Sequence, residues 1–123
     1  MSTAPKNGEF QEGKLWFTRK GNIITLGITD LASEEIGGAQ SLEFPDEGDD
    51  FDKGEVVLTV EGAKGSVDLI TPAAGLIHEI NTELNEDMSS LIEDPTEEGW
   101  LVKLEIQDVS DLKEFVEEYT EES

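Results

Sequence analysis

The sequence predicts a mainly β domain: a flattened barrel or sandwich of two small antiparallel sheets, with a short helix in its N-terminal half and an amphipathic helix at its C-terminal end. Three observations predict it. Residues 15–28 and 55–72 each carry β-branched and apolar residues on both sides of a glycine-bearing turn, the pattern of an antiparallel hairpin. Residues 31–36 are bounded by side chains that start and stop a helix. The order short strand, acidic loop, glycine-led strand occurs over 42–61 and again over 75–105, as in two similar halves related by a pseudo-twofold axis.

Residues 1–13 are polar and read as a flexible segment, followed by one domain over 14–119 and an acidic tail at 120–123. The first hairpin pairs 15–18 with 23–28 around a turn at Gly21 and Asn22, and Trp16 and Phe17 read as core or sheet-face residues. Thr29 or Asp30 can accept the unpaired amides of a first helical turn, and Gly37 and Gly38 stop that helix. A short strand at 42–45 ends at Pro45, and 46–54 is an acidic loop. After Pro72 come a turn, a strand to Ile80, a loop with one helical turn, and a strand at 100–106. Leu112, Phe115, Val116 and Tyr119 fall at helical spacing and predict the C-terminal helix.

A chain of 123 residues suits one domain with one core. Its 30 acidic against 8 basic residues, a net charge of -22, argue against a nucleic-acid or anionic-membrane binder. The same charge favours cationic partner surfaces and a monomer. No cysteine is present, so neither disulfides nor a thiol nucleophile is available, and any redox chemistry must be carried by an attached group. No apolar run resembles a signal peptide or membrane span, which points to the cytoplasm. Asp50, Asp52 and Glu61 match the first, third and last ligands of a calcium-binding EF-hand loop. Gly54 then stands at the fifth ligand and Glu55 at the obligatory glycine, so no metal site is assigned. His78 is the only histidine and reads as structural, and no pair of carboxylates can be nominated, so the chain is not an enzyme.

The second hairpin carries the most pointed feature. Val56, Val57, Leu58 and Val60 face Val67, Leu69 and Ile70 across Glu61, Gly62, Ala63, Lys64 and Gly65. The two glycines tolerate positive φ, and the apex holds a lysine away from the body of the domain, well placed for covalent modification.

Taken in order, Gly27, Ile28, Thr29 and Asp30; Leu42 to Pro45; Glu61 to Lys64; Pro72 to Gly75; Asn81; and Glu98, Gly99 and Trp100 resemble the glycine cleavage system H-protein family over about 14–119. The resemblance implies a lipoyl-domain-type hammerhead barrel with lipoate in amide linkage to Lys64. Glu61, Gly62, Ala63 and Gly65 would form the motif read by a lipoate ligase or lipoyltransferase. The chain would then be a carrier whose swinging arm takes an aminomethyl group from glycine decarboxylase to an aminomethyltransferase and is reoxidised by dihydrolipoyl dehydrogenase. Biotin is disfavoured, because biotinyl lysines are bracketed by methionines where this chain has Ala63 and Gly65.

Some positions depart from the family pattern. Leu15 replaces a histidine before Trp16, Thr96 replaces a tyrosine, and Leu91 and Ile92 stand where an asparagine is common. Such positions are expected to face partners or the arm. They suggest an alternative: an H-protein-like lipoate-binding protein carrying sulfur intermediates for a heterodisulfide-reductase-like complex in sulfur oxidation. A non-lipoylated acidic binding module is a second alternative.

Overall fold

A computed structural model describes residues 9–10, 14–85, 91 and 99–108. The predicted C-terminal helix, Ile92 and Thr96 lie outside them. The elements in chain order are β1 (Glu9–Phe10), β2 (Leu15–Lys20), β3 (Ile23–Ile28), α1 (Asp30–Glu35), β4 (Ala39–Leu42), β5 (Asp50–Phe51), β6 (Val56–Gly62), β7 (Ser66–Ile70), β8 (Gly75–Ile80) and β9 (Val102–Ile106). A 3₁₀ turn spans Thr82–Asn85, matching the single helical turn expected there.

The strands form two antiparallel sheets, one of six strands in the order β1-β2-β3-β9-β8-β5 and one of three in the order β4-β6-β7. The predicted class is therefore correct, although the sheets are unequal. The internal echo is visible in the pairing, since β4 pairs with β6 in the small sheet and β8 with β9 in the large one.

The β2–β3 hairpin shows why its residues were chosen. Leu15 stands opposite Ile28 and Lys20 opposite Ile23, with Gly21 left-handed at φ 66° in the turn. Leu15, Phe17, Ile24, Leu26 and Ile28 enter the core, each fully buried. Burial of this kind stabilises by about 1.5–3 kcal/mol per large side chain. Trp16 covers the other face: a Cβ on Gly27, its cross-strand partner, would lie 2.6 Å from the indole ring. The indole N–H donates to the Ile28 carbonyl at 2.8 Å, so its polar end is satisfied. Phe17 is thus a core residue and Trp16 a sheet-face residue.

α1 begins as expected. The Thr29 hydroxyl accepts the Ala32 amide at 3.3 Å, and Gly37 and Gly38 follow at φ 79° and 87°. Ala32 and Ile36 pack into the core between the sheets with Val60, Leu69, Ile77 and Leu104.

Several boundaries differ from expectation. β4 runs over Ala39–Leu42 and not 42–45, because the glycine pair turns the chain so that Ala39 already stands opposite Gly62. Beyond Leu42, Pro45 has no N–H to donate and disfavours pairing. The acidic loop contributes β5, whose Phe51 stands opposite Gly75. Residues Glu9–Phe10, inside the segment read as flexible, pair with Trp16 and Leu15 as β1. The last strand starts at Val102; just before it, the Asn81 amide side chain donates to the Trp100 carbonyl and the Leu101 N–H to the Leu26 carbonyl of β3.

Candidate functional site

The β6–β7 hairpin closes as the sequence suggests. Val60 pairs with Val67 and Glu61 with Ser66, and the Gly62 N–H donates to the Gly65 carbonyl at 2.8 Å. Ala63 and Lys64 make the reversal. Glu61, Ala63, Lys64 and Gly65 are all exposed, and Gly62 is half-buried. The Lys64 ammonium forms no ion pair among the described residues, although Glu61 precedes it on the same hairpin. On the outer face of the hairpin, the Thr59 hydroxyl donates to the Asp68 carboxylate at 2.8 Å. A shallow groove lined by Ser41, Leu42, Glu43, Leu58, Thr59 and Glu61 runs below the turn.

The glycines do not act as expected. Neither Gly62 nor Gly65 is left-handed, and nothing lies within 4 Å of a Cβ placed on Gly65. Gly62 is required by space instead. A Cβ there would collide with the Ile36 carbonyl and sit 2.5 Å from the Gly38 carbonyl and 2.9 Å from the Ile36 side chain. The tip of the hairpin is therefore pressed onto the end of α1.

A hydrogen bond completes that contact. The last carbonyls of a helix have no partner within it, and the Ile36 carbonyl finds one in the Lys64 N–H at 2.7 Å. The Lys64 stem crosses Gly37, whose absent Cβ would otherwise meet Lys64 Cγ at 2.9 Å. The lysine is thus displayed from a turn that is docked, not from one standing clear of the domain. The sequence marks Gly37 and Gly38 only as a helix stop. Both are left-handed, so their conformation hides the close approach that only Gly37 makes.

The other singled-out residues are elsewhere. His78 is exposed in β8 of the large sheet, at a register shift between Ile77 and Glu79. Leu15 and Leu91, two of the positions expected to face partners, are fully buried. They are core residues of this chain, where a hydrophobic side chain gains most from burial.

Two antiparallel sheets, with Lys64 exposed on the turn of the smaller one, fit the hammerhead-barrel fold class expected from the sequence. Three comparisons with known proteins place it more narrowly. The glycine cleavage H-protein family model matches residues 8–123. The glycine cleavage system H protein of Anaeromyxobacter sp. (strain K) is 37% identical over 113 residues, covering 92% of this chain and 88% of that one. That of Carboxydothermus hydrogenoformans is 35% identical over 116 residues, covering 94% and 89%. The crystal structure of a glycine cleavage system H protein from Mycobacterium marinum superposes with a TM-score of 0.68 at 26% identity, covering 90% of this chain and 92% of that one. The chain belongs to the glycine cleavage H-protein family. No helix among the described residues is long and apolar enough to cross a membrane.

Proposed function

We propose that this chain is the lipoyl carrier of a glycine cleavage system, with lipoate in amide linkage to Lys64. The observation that carries the reading is Lys64 itself: an exposed amine, without an ion pair among the described residues, at the turn of a hairpin in a member of this family. The surroundings fit the group. Ala63 and Gly65 put no bulk beside the stem, and the space around Gly65 is open, so an acyl arm leaves the turn without a clash. When bound, lipoate supplies a strained cyclic disulfide to a chain with no cysteine of its own.

The protein's own residues supply position and charge. Glu61, Gly62, Ala63 and Gly65 form the turn presented to a lipoate ligase or lipoyltransferase. Acylation removes the positive charge of Lys64 and leaves the exposed Glu61 and Asp68 as an acidic collar on the hairpin that bears the arm. That collar, with the net charge of -22, steers the carrier toward basic rims on glycine decarboxylase, aminomethyltransferase and dihydrolipoyl dehydrogenase. The carrier works in the cytoplasm as a monomer, and tethering raises the effective concentration of the arm at each partner's active site.

Intact mass after incubation with lipoate ligase, lipoate and ATP tests this. The expected result is one added lipoyl group, absent from Lys64→Arg. An unmodified wild type, under conditions that modify the Carboxydothermus relative, would leave an acidic binding module and sink the carrier reading. The lipoylated protein is then expected to serve as acceptor in glycine decarboxylation. Inactivity there, with activity toward a heterodisulfide-reductase-like complex, would transfer it to sulfur chemistry. Of the departures that raised that alternative, Leu15 and Leu91 are buried, and Ile92 and Thr96 lie outside the described residues.

A further inference from the structure

We infer that the C-terminal turn of α1 is a seat that sets where a lipoylating enzyme finds Lys64, with Gly37 and Gly62 as its positioning residues. The inference rests on the reading of Lys64 as the lipoyl attachment site and adds to it what holds that site in place.

Local geometry alone does not hold the turn. Ala63 and Lys64 reverse the chain with no left-handed glycine at either Gly62 or Gly65, and all four residues from Ala63 to Ser66 are exposed. A two-stranded tip beyond the edge of a three-stranded sheet would swing about its last ladder bonds. Here it cannot. The Lys64 N–H is hydrogen-bonded to the Ile36 carbonyl, Gly62 lies against the carbonyls of Ile36 and Gly38, and the Lys64 stem crosses Gly37. Ile36 in turn is only 3% exposed and belongs to the core. The tip of the hairpin is thereby tied to the interior through one helix end.

This matters because the modification requires one nitrogen at one place. Amide formation joins Lys64 Nζ to the carboxyl carbon of activated lipoate. The C–O bond to the activating group breaks, that group leaves with the electron pair, and protons from the ammonium pass to solvent. Misplacing a reacting atom by about 1 Å can cost on the order of a hundredfold in rate. A seated turn delivers Nζ from a fixed Cα and leaves only the side-chain torsions to the enzyme.

The two glycines that end α1 provide a matched test. Both are left-handed, at φ 79° for Gly37 and 87° for Gly38, so alanine strains the backbone similarly at each. Only the Gly37 Cβ would meet Lys64; that of Gly38 has nothing within 4 Å. The unmodified full chain is compared as wild type, Gly37→Ala, Gly38→Ala and Gly62→Ala. Lipoylation is followed by intact mass and hydrogen exchange at the Lys64 amide by NMR, both well below every melting temperature. Gly37→Ala is expected to lose about tenfold or more in kcat/KM for lipoylation relative to Gly38→Ala. Its Lys64 amide should exchange at least about tenfold faster than that of Gly38→Ala. Gly62→Ala should follow Gly37→Ala; should it not fold, the Gly37–Gly38 pair decides. Equal lipoylation of the pair overturns the seat, and so does a wild-type Lys64 amide that exchanges like an unstructured one. A wild type that ligase cannot modify, beside a modified relative, overturns the carrier reading and the seat together. A modified wild type with no Gly37→Ala deficit overturns the seat alone.

Discussion

The β2–β3 hairpin turns at Gly21 and Asn22, and the β6–β7 hairpin turns at Ala63 and Lys64, inside the Gly62–Gly65 hydrogen bond. In the first, Gly21 is left-handed and its surroundings are open, so local conformation makes the turn. In the second no glycine is left-handed, and the turn rests on another element through Gly62 and the Lys64 amide. Each hairpin also contains a glycine required by space. Gly27 lies mid-strand beneath the Trp16 ring, which stabilises the sheet, whereas Gly62 lies at the tip beneath the end of α1, which places the lysine. The same residue type thus serves fold stability in one hairpin and site geometry in the other.

Alanine at Gly27 and at Gly62 would break this comparison most strongly. Both introduce a methyl group into occupied space, and overpacking of this kind costs about 1–3 kcal/mol. Urea unfolding should show losses of that order for each. Only Gly62→Ala should also slow lipoylation; an equal lipoylation defect in Gly27→Ala would mean that general destabilisation is responsible. A smaller effect is expected from Thr29→Ala, which removes the N-cap of α1 from Ala32. The loss of a cap costs about 1 kcal/mol. Because α1 carries the seat, exchange at the Lys64 amide should accelerate in this variant while exchange across β2–β3 stays unchanged. Smallest is Gly21→Ala, where only left-handed strain is added, about 1 kcal/mol or less. Its melting temperature should fall slightly with lipoylation unaffected, and any change at Lys64 would show the two hairpins to be coupled.

The contrast between the hairpins also explains what could be read before the structure. Leu15 to Ile28 carries its own instructions, a left-handed glycine between two alternating runs, and folds as those instructions say. The Thr29 cap and the glycine pair bounded α1 within a residue, because capping is a local exchange of hydrogen bonds. β5 and β1 left little trace, since two-residue strands have no periodicity of their own and depend on Leu76, Gly75, Trp16 and Leu15 across the sheet. Leu15 was expected to face partners or the arm, as the family resemblance implied for that position, yet its place opposite Ile28 puts it in the core.

By itself, the sequence determined the β class, the two hairpins, the short helix, the lysine at a turn and the family pattern around it. These follow from alternation, turn chemistry and caps, which act between residues a few positions apart. Only the tertiary structure decided that the strands divide as six and three, and that Trp16 packs over Gly27. It alone decided that Gly62 is needed for space, and that the turn bearing Lys64 is hydrogen-bonded to the carbonyl of Ile36, the C-cap of α1. Those contacts join residues far apart in the chain. A glycine's missing Cβ acquires meaning only when a distant backbone occupies the space it leaves.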